Sequence, residues 1–148
     1  MNDLLSSSLY DNKTFYHAFA TDLRNAKRSV IIESPFITTR RMNDLLPILR
    51  KLRSNSVRVI VNTRNPEEHD DDYAAQATCA VAMMQNIGVT VLYTVKHHRK
   101  LAIIDKKVLW EGSLNILSQN DSCEIMRRIE SKELARQMTN FVSLGQFL

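Results

Sequence analysis

The chain has 148 residues, 44% of them apolar, with three glycines and three prolines, which suits one soluble domain able to bury its own core. Two cysteines, Cys79 and Cys123, are too few for a disulfide framework, no Cys/His spacing fits a zinc site, and no apolar run nears the roughly 20 residues of a bilayer span. Net charge is +4, and five of the sixteen acidic residues crowd into residues 67–72, so the remaining surface is strongly basic and suits a polyanionic partner.

The opening "MNDLLSSSLYDN" lacks the basic and long apolar parts of a signal peptide, which predicts a cytoplasmic protein. Residues 6–8 read as a frayed lead-in. "TFYHAFATDLRNA" puts Phe15, Phe19, Leu23 and Ala26 on one helical face, with Asp11 or Thr14 as cap. "KRSVIIES" is a β-branched run closed by Ser34-Pro35 and predicts a strand. In "RMNDLLPILRKLR" the helical spacing of Leu45, Leu49 and Leu52 predicts a helix that begins near Asn43, so that Pro47 falls in its first turn. "VRVIVNTR" and "VTVLYT" are further strands. Between them, "DDYAAQATCAVAMMQNIG" is a helix with acidic residues at its start and Gly88 at its end.

A strand–helix–strand–helix–strand rhythm is the signature of parallel strands joined by crossover helices. After it, "KLAIID-KK-VLWEGS" predicts a β-hairpin and "CEIMRRIE" a strand. "SKELARQMTNFVSLGQF" predicts a closing helix with Leu134, Met138, Phe141 and Val142 on one side.

Chemistry concentrates in "VKHHRKLAIIDKKVLWEGSLNI", residues 95–116. Strand alternation sends His98 and Lys100 to one side and His97 and Arg99 to the other. Folding the hairpin brings Ser113 and Asn115 toward the first pair. An imidazole, an ammonium, a hydroxyl and a carboxamide around one space suit an anionic tetrahedral group, offering donors for its oxygens and a nitrogen able to attack its centre.

The joint pattern is more specific than its parts. His98-x-Lys100, four apolar residues to Asp105, and then Gly112-Ser113-x-Asn115 resembles the HKD signature of the phospholipase D superfamily. "AKRSVIIESPFIT" and "VRVIVNTR" are similar to the leading strands of such domains, so the resemblance spans nearly the whole chain. It implies one phospholipase D-like domain over residues 1–148, of the α/β class, with a mixed, mainly parallel sheet flanked by helices.

The resemblance further implies phosphodiester chemistry without metal or cofactor, through a phosphohistidine on His98. Lys100 and Asn115 would hold the nonbridging oxygens, with Ser113 assisting. Asp105, at the hairpin turn, takes either a catalytic role or a structural one. Glu124 occupies the kind of position from which the family orients the nucleophilic imidazole. A second histidine is required, and neither His17 nor His69 starts a second motif, so a homodimer would bring two copies of His98 into one cleft.

The implied substrate is nucleic acid, DNA foremost, cut internally, without stable membrane association. A lipid phosphodiesterase or transferase and a weakly cutting nucleic-acid-binding module of a larger protein stay open beside it. The run "EEHDDD" reads as a solvated loop and helix start rather than a metal site. Trp110 reads as packing or dimer contact, Arg127 and Arg128 as surface charge. Arg40, Arg41, Arg50, Lys51 and Arg53 either track a nucleic-acid backbone or simply solubilise a helix.

Overall fold

Short β-branched runs alternating with amphipathic helices build the first half of the chain as the sequence predicts. A computed structural model describes residues 6–119 and 121–148; residues 1–5 of the stretch read for a signal peptide lie outside them. The order is β1 (Ser7–Asp11), α1 (Phe15–Arg24), β2 (Ser29–Glu33), α2 (Thr39–Ser54), β3 (Arg58–Thr63), α3 (Asp71–Asn86) and β4 (Thr90–Tyr93). It continues with β5 (Leu101–Ile104), β6 (Val108–Gly112), β7 (Ile125–Glu130) and α4 (Lys132–Phe141). All seven strands join one sheet ordered β1-β7-β6-β5-β2-β3-β4.

The sheet is mixed, but mainly antiparallel rather than mainly parallel. Only β2–β3 and β3–β4 pair parallel. Those are the two steps with an intervening helix, where a crossover is required. The other four pairings are antiparallel. After β4 the chain passes without a helix to the far side of β2 and then continues through hairpin-like returns.

α1, α2 and α3 cover one face, packing Phe19, Leu23, Met42, Leu49 and Met84 over Val30, Ile32, Val61 and Ala102. α4 and the C-terminal residues cover part of the other, against Ile31, Ile60, Leu101, Ile103 and Leu109. β2 and β5 are buried on both faces, which is why they read as unbroken apolar runs.

Three local expectations change. Residues 7 and 8 belong to β1, an edge strand paired with β7; its polar sequence hid it, because only Tyr10 packs inward, on Trp110. α2 starts at Thr39 behind the Thr38 cap, so Pro47 lies inside the helix. Pro47 and Asn43, whose carbonyl loses its intrahelical donor, both face solvent, where water can replace the bond. Phe141 is 78% exposed, because Ala135, Thr139 and Val142 form the side of α4 that meets the sheet.

Candidate active site

The pairing pattern gathers several strand ends at one edge of the sheet. β5 runs antiparallel to β2, β6 to β5 and β7 to β6, with Glu33 opposite Leu101, Leu101 opposite Glu111, and Gly112 opposite Met126. The ends of β2, β3 and β6 and the starts of β5 and β7 therefore lie together. This is the edge where open α/β sheets hold ligands.

Residues 97–100 are not strand, contrary to the sequence reading; β5 begins at Leu101. Contacts from outside fix this segment instead. Glu68 Oε1 accepts the Lys96 amide at 3.0 Å. Arg64 donates to the His97 carbonyl through Nε at 3.3 Å and Nη2 at 3.0 Å. Lys100 Nζ donates to the His98 carbonyl at 2.8 Å. The expected opposition of the two histidines is nonetheless present, with His97 2% exposed and His98 open to solvent.

His97 faces Glu33, which is fully buried at the end of β2. Glu33 Oε1 meets His97 Nε2 at 3.3 Å, Arg99 Nη2 at 2.8 Å and Asn62 Nδ2 at 2.7 Å. Burial pushes this carboxyl up, but the donations from His97, Asn62 and Arg99 outweigh it and hold it below the ordinary carboxylate value. Thr94 Oγ1 completes the chain by donating to Asn62 Oδ1 at 3.0 Å.

Arg64 also touches the His98 ring, its Nη2 lying 3.2 Å from Nδ1 and 3.1 Å from Nε2. A nitrogen nearly equidistant from both would collide with Cε1 if it lay in the ring plane. The guanidinium therefore sits over the ring face, and the in-plane direction of each ring nitrogen is left for other partners. On its other side Arg64 lies 5.1 Å from the Phe36 ring centroid, and Phe36 packs with His69 and Tyr73.

The hairpin's far end closes on the same edge. Gly112 N donates to the Lys100 carbonyl at 3.4 Å. A Cβ on Gly112 would collide with the Ile125 carbonyl oxygen and come within 2.9 Å of Met126 Cα, so glycine is required here for the close approach of two backbones. Ser113 Oγ accepts the Ile125 amide at 3.0 Å. The Asn115 loop is pinned at Leu117, whose amide donates to Ser34 Oγ at 3.1 Å and whose carbonyl accepts the Thr38 amide at 3.0 Å. Asn115 Oδ1 is buried without a hydrogen-bond partner.

The hydroxyls of Ser122 and Ser113, followed by the field of Lys100, favour the charged Glu124 carboxylate and hold it below the usual range. The expected bond from Glu124 to the His98 imidazole is not among the contacts of the described residues, where Arg64 occupies the ring face. Asp105 is engaged at the opposite end of β5. Its carboxylate accepts the amides of Lys27 at 2.9 Å, Arg28 at 2.7 Å and Ser29 at 3.1 Å, which ties the hairpin turn to the start of β2. That geometry carries the structural role of the two weighed for Asp105.

Sequence reasoning missed Glu33, Asn62 and Arg64. The signal was a carboxylate closing the apolar run "VIIE", since a buried acid needs a partner. Some of the basic residues also find structural work. Arg41 is buried with its guanidinium 4.2 Å from the Tyr16 ring centroid, and Arg53 Nη1 donates to the Val57 carbonyl at 2.9 Å. Arg128 pairs with Asp22 through Nε at 2.7 Å and Nη2 at 2.9 Å instead of standing free on the surface. Glu68 and Asp70, read as loop and helix-start charges, hold the Lys96 and Tyr73 amides.

The family model for the cardiolipin synthase, phospholipase D-like domain matches residues 19–144. The chain belongs to the phospholipase D superfamily. Its fold is that of Nuc from Salmonella typhimurium, a phospholipase D family member, at a TM-score of 0.75 and 16% identity over 91% of each chain. NucT from Helicobacter pylori superimposes at 0.73 with 18% identity, again over 91% of each. Phosphatidylserine synthase from Haemophilus influenzae matches at 0.73 and 16% identity, with 94% of this chain covering 36% of that one. No curated protein matches the sequence. Among the described residues no helix is long and apolar enough to cross a membrane.

Proposed function

We propose that this phospholipase D-like chain is a metal-independent endonuclease acting through His98 in a homodimeric site. The observation that carries the reading is the solvent-facing His98 imidazole beside the Lys100 ammonium and the Arg64 guanidinium. A His98 nitrogen attacks phosphorus, the bond to the leaving oxygen breaks, and a phosphohistidine forms. The His98 of a second copy gives its proton to that leaving oxygen. It then takes a proton from water, whose oxygen attacks phosphorus and releases the first imidazole. Lys100, Asn115 and Ser113 hold the nonbridging oxygens, supplying the charge a metal would otherwise provide. Glu124, whose carboxylate is favoured by the Ser113 hydroxyl and the Lys100 charge, acts on this group from beside them.

Nucleic acid is favoured by the +4 charge and by the exposed Arg40, Arg50, Lys51 and Arg99. The archaeal chromatin protein TrmBL2, a DNA-binding protein, shares this fold at a TM-score of 0.65 and 8% identity, with 95% of this chain covering 52% of that one. The likeness to phosphatidylserine synthase keeps lipid phosphodiester transfer as the second reading. DNA and a bis-aryl phosphodiester are expected to be cleaved undiminished in EDTA. Strict dependence on added magnesium would defeat the mechanism. Turnover confined to lipid vesicles would favour the second reading, and DNA binding without turnover a binding module.

The second copy has a surface to dock on. Leu9 and Ile125 are each 58% exposed and Phe141 78%. They flank a groove lined by Leu109, Ile129, Leu134 and Met138 on the sheet face that α4 covers only in part. This strip begins at Ile125, whose amide bonds Ser113, which supports a second copy docking beside the site. Light scattering is expected to show a dimer for the wild type. The double variant Ile125→Lys, Phe141→Glu is expected to be monomeric with turnover reduced at least about 100-fold. A fully active wild-type monomer contradicts the shared cleft.

A further inference from the structure

The segment carrying His98 is held from inside the fold by one group that the reaction does not consume. Glu33 stands opposite Leu101, the first residue of β5, and its Oε1 meets both His97 Nε2 and Arg99 Nη2. Those are the two chain neighbours of His98. We propose that Glu33 is the positioning residue of the site: its buried carboxylate draws His97 and Arg99 toward the sheet and so turns the intervening imidazole outward to the substrate. The inference rests on the phosphodiesterase reading of His98.

Three observations support this role. Residues 97–100 have no ladder of their own, so their conformation depends on side-chain contacts, against a backbone ordering cost of about 1–2 kcal/mol per residue. Of the remaining anchors, Glu68 and Lys100 grip backbone atoms, and Arg64 grips the His97 carbonyl and touches the His98 ring itself; among these described contacts, only Glu33 holds the side chains on either side of His98. Finally, stability alone does not account for an acid here. β2 is apolar from Val30 to Ile32, and Glu33 Oε2 and His97 Nδ1 are buried without hydrogen-bond partners among the described residues. An apolar residue of similar volume would avoid that desolvation.

Glu33→Gln keeps the volume and one acceptor oxygen but removes the charge that gathers two cationic or polar donors. On a bis-aryl phosphodiester its kcat is expected to fall about 10- to 100-fold, as displacement of a nucleophile by an ångström does, with KM changed less than about twofold. Arg99→Gln, at a side chain 42% exposed, is expected to lower kcat in the same direction, and the double variant to lose less than the product of the two. A readout independent of turnover is the rate at which diethyl pyrocarbonate modifies His98, read by mass spectrometry. It should change at least about threefold in Glu33→Gln, in proportion to the altered presentation of the ring.

Unchanged kcat and unchanged His98 modification in folded Glu33→Gln overturn the proposal, as does a loss of melting temperature alone. If Glu33→Gln does not fold, Arg99→Gln decides, and full kcat with wild-type modification of His98 in that variant is equally fatal. A wild type inactive on every phosphodiester would sink the phosphodiesterase reading instead, while the modification rates would still decide whether Glu33 sets the presentation of His98.

Discussion

His98→Ala is expected to abolish EDTA-resistant cleavage, with kcat reduced at least about 1,000-fold, the scale on which removal of a nucleophile acts. DNA affinity should stay within about threefold, because the cations Lys100 and Arg64 beside the ring remain and affinity for a polyanion follows such charges. The variant should also fold as the wild type does. His98 is solvent-exposed, and among the described residues the hydrogen-bond contacts of its ring are with Arg64, so the change in stability should lie within about 0.5 kcal/mol. Initial rates in EDTA, fluorescence anisotropy on labelled DNA and a thermal melt separate the three quantities. Retention of even a tenth of wild-type turnover would remove His98 from the role of nucleophile. Weakened binding in step with lost turnover would make it a binding residue.

How far the sequence disclosed this site depends on which interactions are local. The HKD spacing was legible because its residues lie within one short stretch of chain, and the expected opposition of buried His97 and exposed His98 is present although residues 97–100 are not strand. The helices and the six strands β2 to β7 were legible for the same reason. The anchors were not. Glu33 lies 64 residues from His97 and Arg64 lies 34 from His98, so each looked like an ordinary strand-end charge until the sheet order put β2, β3 and β5 side by side. The hairpin after β4 was read correctly, but the sheet was expected to be mainly parallel, since which strands pair with β2 and β7 is not written in periodicity. β1 was invisible because an edge strand with one inward residue has no apolar alternation to read. Arg128 misled in the opposite sense: its partner Asp22 sits on a helix more than a hundred residues away.

That same Asp22 leads to the largest stability effect expected in the fold. Trp110 is fully buried, meets the rings of Tyr10, Phe15 and Phe19 at centroid distances of 5.0, 5.1 and 6.0 Å, and donates its indole N–H to Asp22 Oδ2 at 2.8 Å. Asp22 in turn holds Arg128, whose guanidinium is pushed above its usual pKa by the bond from Asp22 and, against the opposing effect of burial, by Glu130. One side chain thus joins β1, α1, β6 and, through Asp22, β7. Trp110→Ala would leave a large cavity and unseat Asp22 from one donor, at a cost of about 4 kcal/mol. For a domain of this size that corresponds to a melting temperature lower by about 8–16 °C. Trp110→Phe should retain most ring contacts and lose chiefly the bond to Asp22, about 1 kcal/mol. Because Trp110 lies two residues before Gly112, the alanine variant should also loosen the β6–β7 closure that holds Ser113, and its residual activity should fall at temperatures well below its melt. Equal melting temperatures for the two variants would mean that aromatic packing contributes little, and that the Asp22 bond alone secures this corner of the sheet.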